Sequence, residues 1–237
     1  MRPFEPELIL SFIVNVLPYL SVTLGVAAAS VIGGSLLGAA LAWAKLQGGR
    51  LLRRLAETYI YMLRCTPSIV LLFIVFYGLP KFLLEVFDYD INDLSRAVFV
   101  IITFTLLFAA SISEVMRAAY LAVDKGQYEA AVSAGLSPLL ALRRIVLPQA
   151  AVIALPNFGN SLLSLLKEGS LAYTIGLIDL LGAGQMIVAR AYGASALEVY
   201  IAVGLIYWLL SLLLAEGILR LENFLQPQKF KGGREAR

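Results

Sequence analysis

Histidine is absent from all 237 residues, and cysteine occurs once, as Cys65. Those two facts exclude His-based metal sites, Ser-His-Asp triads and HExxH chemistry, and leave no CxxC pair or internal disulfide. Charge is also scarce. Only 15% of residues are charged, and the net charge of +3 is not gathered into a nucleic-acid patch. No GxxxxGK[ST] phosphate loop is present, so ATP hydrolysis is expected outside this chain. The start of the sequence does not read as a cleavable signal peptide. No internal repeat is evident, which weakens an inverted-repeat carrier. What fills the chain instead is hydrocarbon: 60% hydrophobic residues and a mean hydropathy of +0.84. Runs of about 20 apolar residues suffice to cross a bilayer core as helix.

The expectation is an all-α polytopic membrane protein, a single domain over 1–237, with about five transmembrane helices. The spans are read as Pro18–Ala44, led in by Phe12–Leu17, then Tyr59–Val86, Leu94–Leu121, Ala151 to beyond Leu166, and Tyr200–Leu219. The stretch "IGLIDLLGAGQMIVARAYGAS" reads as a short helix or re-entrant piece, with Arg190 near Tyr192 as an interfacial anchor. Lys45, Arg50, Arg53 and Arg54 follow the first span without an acid among them, and Asp88, Asp90 and Asp93 follow the second. The positive-inside rule then sets the first loop, the 122–150 loop and the basic tail 222–237 in the cytoplasm, with the N-terminus outside. Gly25, Gly33, Gly34 and Gly38 in span one suit close packing, within the chain rather than across a dimer.

The 122–150 loop holds "GQYEAAVSAGLSPLLALRRIVLPQA". Asp124 and Gln127 suggest a capping box, Gly135 a helix end, and Ser137–Pro138 a new helix start. Leu147–Pro148 reads as the end of that second helix. Tyr128, Ala131, Val132 and Gly135 share one shallow face.

Ionisable groups at membrane depth cost at least about 2.5–3.5 kcal/mol each, so they face a cavity or a partner. Arg64, Thr66 and Pro67 interrupt span two, while Glu114 and Arg117 can pair in span three. In span four, Lys167 and Glu168 precede Gly169 and Ser170, with Lys167 roughly 24 Å along the helix from Ala151. A cation and anion before a glycine break suit the carboxylate and ammonium of an amino acid. A mutually neutralised structural pair, or Lys167 reaching for the interface, fits equally well.

The loop resembles a known motif. Glu129, Ala130, Ala131, Gly135, Ile145, Leu147 and Pro148 match the EAA loop of binding-protein-dependent ABC importer permeases at every defined position. "YMLRCTP" and "LLKEGSL" look like segments of the polar amino-acid permeases, and "EVYIAVGLIYW" is similar to permeases for cystine and related sulfur amino acids. The resemblance implies the type I importer permease fold in a prokaryotic inner membrane. It implies a non-enzymatic subunit that pairs with an identical or homologous permease, ABC ATPase subunits and an external binding protein. ATP and Mg are then held by the ATPase, and this chain itself needs no cofactor or metal.

By the same likeness Tyr128 joins the EAA residues as the ATPase-coupling face. Lys167, Glu168 and Ser170 fall at or beside a substrate pocket, Arg64 and Thr66 occupy the matching span-two segment, and Glu114–Arg117 is a structural pair. Cys65, Glu168 and Gly169 depart from the family's glycine, aspartate and threonine, so the solute is not carried over with the motif. The competing reading is an ion-coupled secondary transporter with Lys167–Glu168 or Glu114 as proton site; a membrane-embedded enzyme is weaker still.

Overall fold

Pro18 divides the first helical segment, and a pair of glycines ends it. The computed structural model describes residues 4–225, within which no strand occurs. The basic tail lies almost wholly outside the described residues, including Lys229, Lys231, Arg234 and Arg237. Helix α1 (Glu7–Val16) leads through a tight turn at Leu17–Tyr19, with Pro18 early in it, into α2 (Leu20–Gln47). Extended backbone at Gly48 and Gly49 stops α2, and α3 (Arg50–Cys65) begins at once.

Five helical segments among the described residues are long and apolar enough to cross a membrane: Glu7–Gln47, Ser68–Phe87, Arg96–Ala122, Pro138–Ile175 and Ala196–Leu225. The second differs from the expected Tyr59–Val86. Thr66 and Pro67 adopt ψ values of 126° and 136°, which end one helix and start another. A residue before proline is pushed out of the helical region, and proline has no N–H to donate. Helix α3 is therefore a separate amphipathic helix, with Ala56 and Ile60 buried and Arg50, Arg53 and Arg54 exposed. The second span proper is α4 (Ser68–Phe73), a π turn at Ile74–Gly78, and α5 (Leu79–Phe87).

Helix α6 (Arg96–Ala122) is the axis of the bundle, and half of its most apolar window is buried. It packs on α2 above all, and also on α3, α4 and α9 (Leu147–Glu168). The α2–α6 contact is close because α2 presents glycine: a Cβ on Gly34 would lie 2.9 Å from Phe108 Cδ1, and one on Gly38 would lie 2.3 Å from Ile112 Cγ2. The small-residue stripe is thus an intramolecular seam, as expected. Leu72, Phe104, Phe108, Ile112 and Leu165 form the main core at this junction. A second cluster around Val16, Leu180, Val199 and Val203 joins α1 to α10 (Leu180–Arg190) and α11 (Ala196–Leu225). The "IGLIDLLGAGQ" stretch is indeed a short helix, capped by Asp179, whose carboxylate accepts the Gly182 N–H at 2.8 Å.

Candidate coupling loop and polar cleft

Between α6 and α9 the chain leaves the bundle as α7 (Lys125–Ser133) and α8 (Pro138–Ala141). The Asp124 carboxylate caps α7 by accepting the Gly126 N–H at 2.8 Å. The expected capping box is half present: the Gln127 side chain does not fold back on the cap, and its Oε1 accepts from Gln149 Nε2 at 3.4 Å. Gly135 ends the helix in the left-handed region, φ 92°. There Leu136 N–H reaches Ala131 O at 3.1 Å and Gly135 N–H reaches Val132 O at 2.9 Å, which is the Schellman pattern. Ser137 then accepts the Leu140 N–H at 3.4 Å.

The second half of the loop departs from expectation. Leu147–Pro148 does not end a helix. A π turn at Leu142–Val146 carries α8 directly into α9, and Pro148, which has no N–H to donate, follows that turn. Ile145, Leu147 and Pro148 are therefore the root of the fourth span. Val146 and Ala150 are buried there against Ala119 and Val123 of the α6 end, and they fasten the loop to the bundle. Tyr128, Glu129, Ala130 and Gly135 are exposed and Ala131 is half-buried; no residue of α7 is buried. A short capped helix with an uncovered alanine-rich face suits insertion into a groove.

The second feature lies at membrane depth. Asn157, Asn160, Ser161, Ser164 and Glu168 project from one face of α9 at helical spacing and meet Ser111 of α6 in a cleft of about 360 Å³. Leu107, Phe108, Val115 and Leu165 complete its walls. From Asn157 to Glu168 this polar stripe covers roughly 16 Å of rise, about half the hydrocarbon thickness. Polar groups so placed in a span mark a solute path or a partner. At its head Glu168 faces Ser68, the first residue of α4.

The sequence-predicted pocket residues divide here. Glu168 lines the cleft. Lys167 does not join it: the side chain is exposed, and no ion pair links it to Glu168 among the described residues. Adjacent helical residues point about 100° apart, so neighbours in sequence do not share a face. The Ser170 hydroxyl donates to Lys167 O at 2.7 Å. The expected break at Gly169 is instead a passage into a 3₁₀ turn, Gly169–Ile175; the reversal comes at Gly176, φ 81°. Arg64 is exposed at the end of α3 beside Cys65, and Thr66 returns its hydroxyl to Met62 O at 2.8 Å. Neither Arg64 nor Thr66 lines the cleft, and Ser68 approaches it only through Glu168.

Glu114 and Arg117 do pair, with Arg117 Nη2 at 2.9 Å and Nε at 3.0 Å from Glu114 Oε2. The pair is in fact a triad, because Lys45 of α2 binds the other carboxylate oxygen. Lys45 reads in sequence as a flanking charge, and nothing in the local pattern signals that it reaches across to α6.

A bundle of five spanning segments, a polar cleft open on its α6–α9 face and a short helical pair protruding from one end together describe a membrane transport subunit. Residues 21–220 match the family described as binding-protein-dependent transport system inner membrane component, and the chain belongs to that family. It is 41% identical over 212 residues to the L-cystine transport system permease protein TcyL of Bacillus subtilis (strain 168), covering 90% of this chain and 87% of that one. It is 35% identical over 205 residues to the probable amino-acid ABC transporter permease protein PatM of Vibrio harveyi, covering 86% and 89%. A crystal structure of an amino acid ABC transporter with histidines superposes with TM-score 0.79 at 27% identity, covering 93% of this chain and 98% of that chain. The MetNI methionine ABC transporter in inward facing form shares the fold at TM-score 0.69 and 18% identity, covering 94% and 100%.

Proposed function

We propose that this chain is the permease subunit of an ATP-driven importer for a polar amino acid, with cystine as the leading solute. The observation that carries the reading is the polar face of α9, Asn157 to Glu168, open in a cleft at membrane depth in a chain 41% identical to a cystine permease. Amide, hydroxyl and carboxylate groups there suit a zwitterion: Glu168 takes the ammonium, and the asparagine amides donate to the carboxylate. Lys167, Ser170, Arg64 and Thr66 stand outside the cleft's lining and act on the solute's entry rather than form its seat.

The basic loops face the cytoplasm in this reading, with the N-terminus outside and the C-terminus inside. Two permeases, identical or homologous, stand side by side. Two ABC ATPase subunits holding ATP and Mg receive the α7 faces, Tyr128 to Ala131 with Gly135, and an external binding protein delivers the solute. ATP binding draws the α7 helices together and opens the cleft outward; hydrolysis reverses this. Ile145, Leu147 and Pro148, at the root of α9, pass the movement into the span that lines the cleft. The physical content is a two-state bundle whose states differ in their contacts with the motor.

The test is uptake into vesicles holding this chain, its neighbouring ATPase and its binding protein, with labelled cystine and a competing panel of amino acids. ATP-dependent uptake competed by cystine is expected. Uptake by this chain alone, driven by a proton or sodium gradient, would make it a secondary carrier.

A further inference from the structure

At the end of the bundle that carries α7 and α8, a second cavity of about 630 Å³ opens between the last turns of α2, the last turns of α6 and the first turns of α9. It shares no lining residue with the polar cleft. Alanines at 39, 42, 119 and 151 leave the space, and leucines, Phe158 and Trp43 make it apolar. Its volume falls within the range of about 300–1,000 Å³ usual for small-molecule pockets. Trp43 is 60% exposed beside it, the placement of an interfacial aromatic.

Leu46 lines this cavity and also an adjoining one of about 440 Å³, whose other walls are Lys45, Arg53, Glu57, Arg117 and Leu121. Glu114 is shared by Lys45 and Arg117, and Glu57 is matched by Arg53, so three cations face two carboxylates. Arg50 and Arg54, exposed on the same helix, raise the positive surplus further. An apolar hollow lined by a tryptophan, sharing Leu46 with a neighbouring basic hollow, has the chemistry of one amphiphile's two ends. The α7 residues proposed to dock the motor line neither cavity.

We propose that the two adjoining cavities seat an anionic glycerophospholipid, one acyl chain between α2, α6 and α9 and the phosphate against Lys45, Arg53 and Arg117. Basic pockets between membrane helices hold anionic headgroups in this manner. The inference rests on the chain spanning a membrane and is independent of which solute the cleft takes.

Native mass spectrometry of the full chain, purified with its partner subunits, tests it with dioleoyl phosphatidylglycerol and dioleoyl phosphatidylcholine offered at equal concentration. At least fivefold preferential retention of phosphatidylglycerol is expected. Ala39→Trp and Ala151→Phe, at exposed lining positions, should each lower that retention at least fivefold with elution volume unchanged. Arg53→Gln, which removes the phosphate-facing cation that lies outside the Lys45–Glu114–Arg117 triad, should lower the preference for phosphatidylglycerol at least threefold. Equal retention of the two lipids by the unmodified protein would overturn the proposal, as would full retention in both cavity-filling variants. Cross-linking of Ala39→Cys to a partner subunit, in place of lipid, would make the hollow a protein interface and also end it.

Discussion

Glu168, the last residue of α9, faces Ser68, the first residue of α4. Their segments are far apart in sequence, and the two residues bring the head of the polar cleft to the start of the second span. A hydrogen bond to a charged group contributes about 1.5–3 kcal/mol. Removal of the charge in Glu168→Gln is therefore expected to lower uptake at least about tenfold, because the zwitterion's ammonium loses its counter-ion. Ser68→Ala leaves the carboxylate in place and should cost only a few-fold. ATPase activity without solute should persist in both; the check is vesicle uptake beside phosphate release. A Glu168→Gln variant with normal uptake would take the carboxylate out of the solute's path.

Gly135 separates stability from docking. Its φ of 92° disfavours side chains, yet a Cβ there would meet nothing within 4 Å. Aspartate and asparagine tolerate the left-handed region better than other residues. Gly135→Asp should therefore insert and melt within about 1 kcal/mol of the parent, the usual glycine-to-side-chain penalty. The same variant sets a charge on the α7 face and should reduce co-purified ATPase at least tenfold. Pull-down of the assembled complex measures this, and full recovery of the ATPase would remove Gly135 from the docking face.

The spans were legible because runs of some 20 apolar residues leave few alternatives, and the loop because its caps and left-handed glycine are local signals. The failures have causes of their own. Span two begins at Ser68 rather than Tyr59 because hydropathy averages over the Thr66–Pro67 break. Lys167 and Glu168 look like a pair when read along the chain, but the helix turns them to different faces. The stripe at Asn157, Asn160, Ser161, Ser164 and Glu168 was visible as helical spacing all along. Uncharged amides and hydroxyls are easily passed over beside ionised groups, although in hydrocarbon they too need a polar surrounding. Lys45 is a fourth kind of case: which distant carboxylate a flanking lysine reaches is settled only by how α2 leans on α6.

That lean gives a stability prediction. A Cβ on Gly38 would stand 2.3 Å from Ile112 Cγ2 and 3.1 Å from Ala109 O, so side chain and backbone both resist it. Overpacking at such a seam costs about 1–3 kcal/mol. Gly38→Ala should lower the thermal midpoint in detergent, and Ile112→Ala, which removes the opposing Cγ2, should cost less in the Gly38→Ala background than in the parent. A double-mutant cycle read by thermal unfolding checks the coupling. Strict additivity would mean that the two helices part rather than repack.

Asp179 yields a pH dependence of defined sign. Its side chain is 2% exposed, and burial raises its carboxyl above the usual aspartate value, against the opposing pull of the Gly182 N–H and the Tyr207 hydroxyl. A raised value in the folded state means that the fold holds this proton more tightly than the unfolded chain does. Its contribution to stability is then complete below the ordinary aspartate pKa of about 3.9 and is lost as pH rises through the folded value. Asparagine keeps an N-cap oxygen for Gly182 without a charge to bury. Asp179→Asn should therefore match the parent at acid pH and melt higher than it at neutral pH, the gap opening across that window and then levelling. Asp179→Ala should melt below the asparagine variant throughout, by about 1 kcal/mol, because the cap on α10 is gone. Thermal unfolding of the three proteins between pH 4 and 8 measures both effects. A gap between parent and asparagine variant that closes as pH rises would mean that the ionised carboxylate is welcome at that site, held by more than Gly182 and Tyr207 offer it.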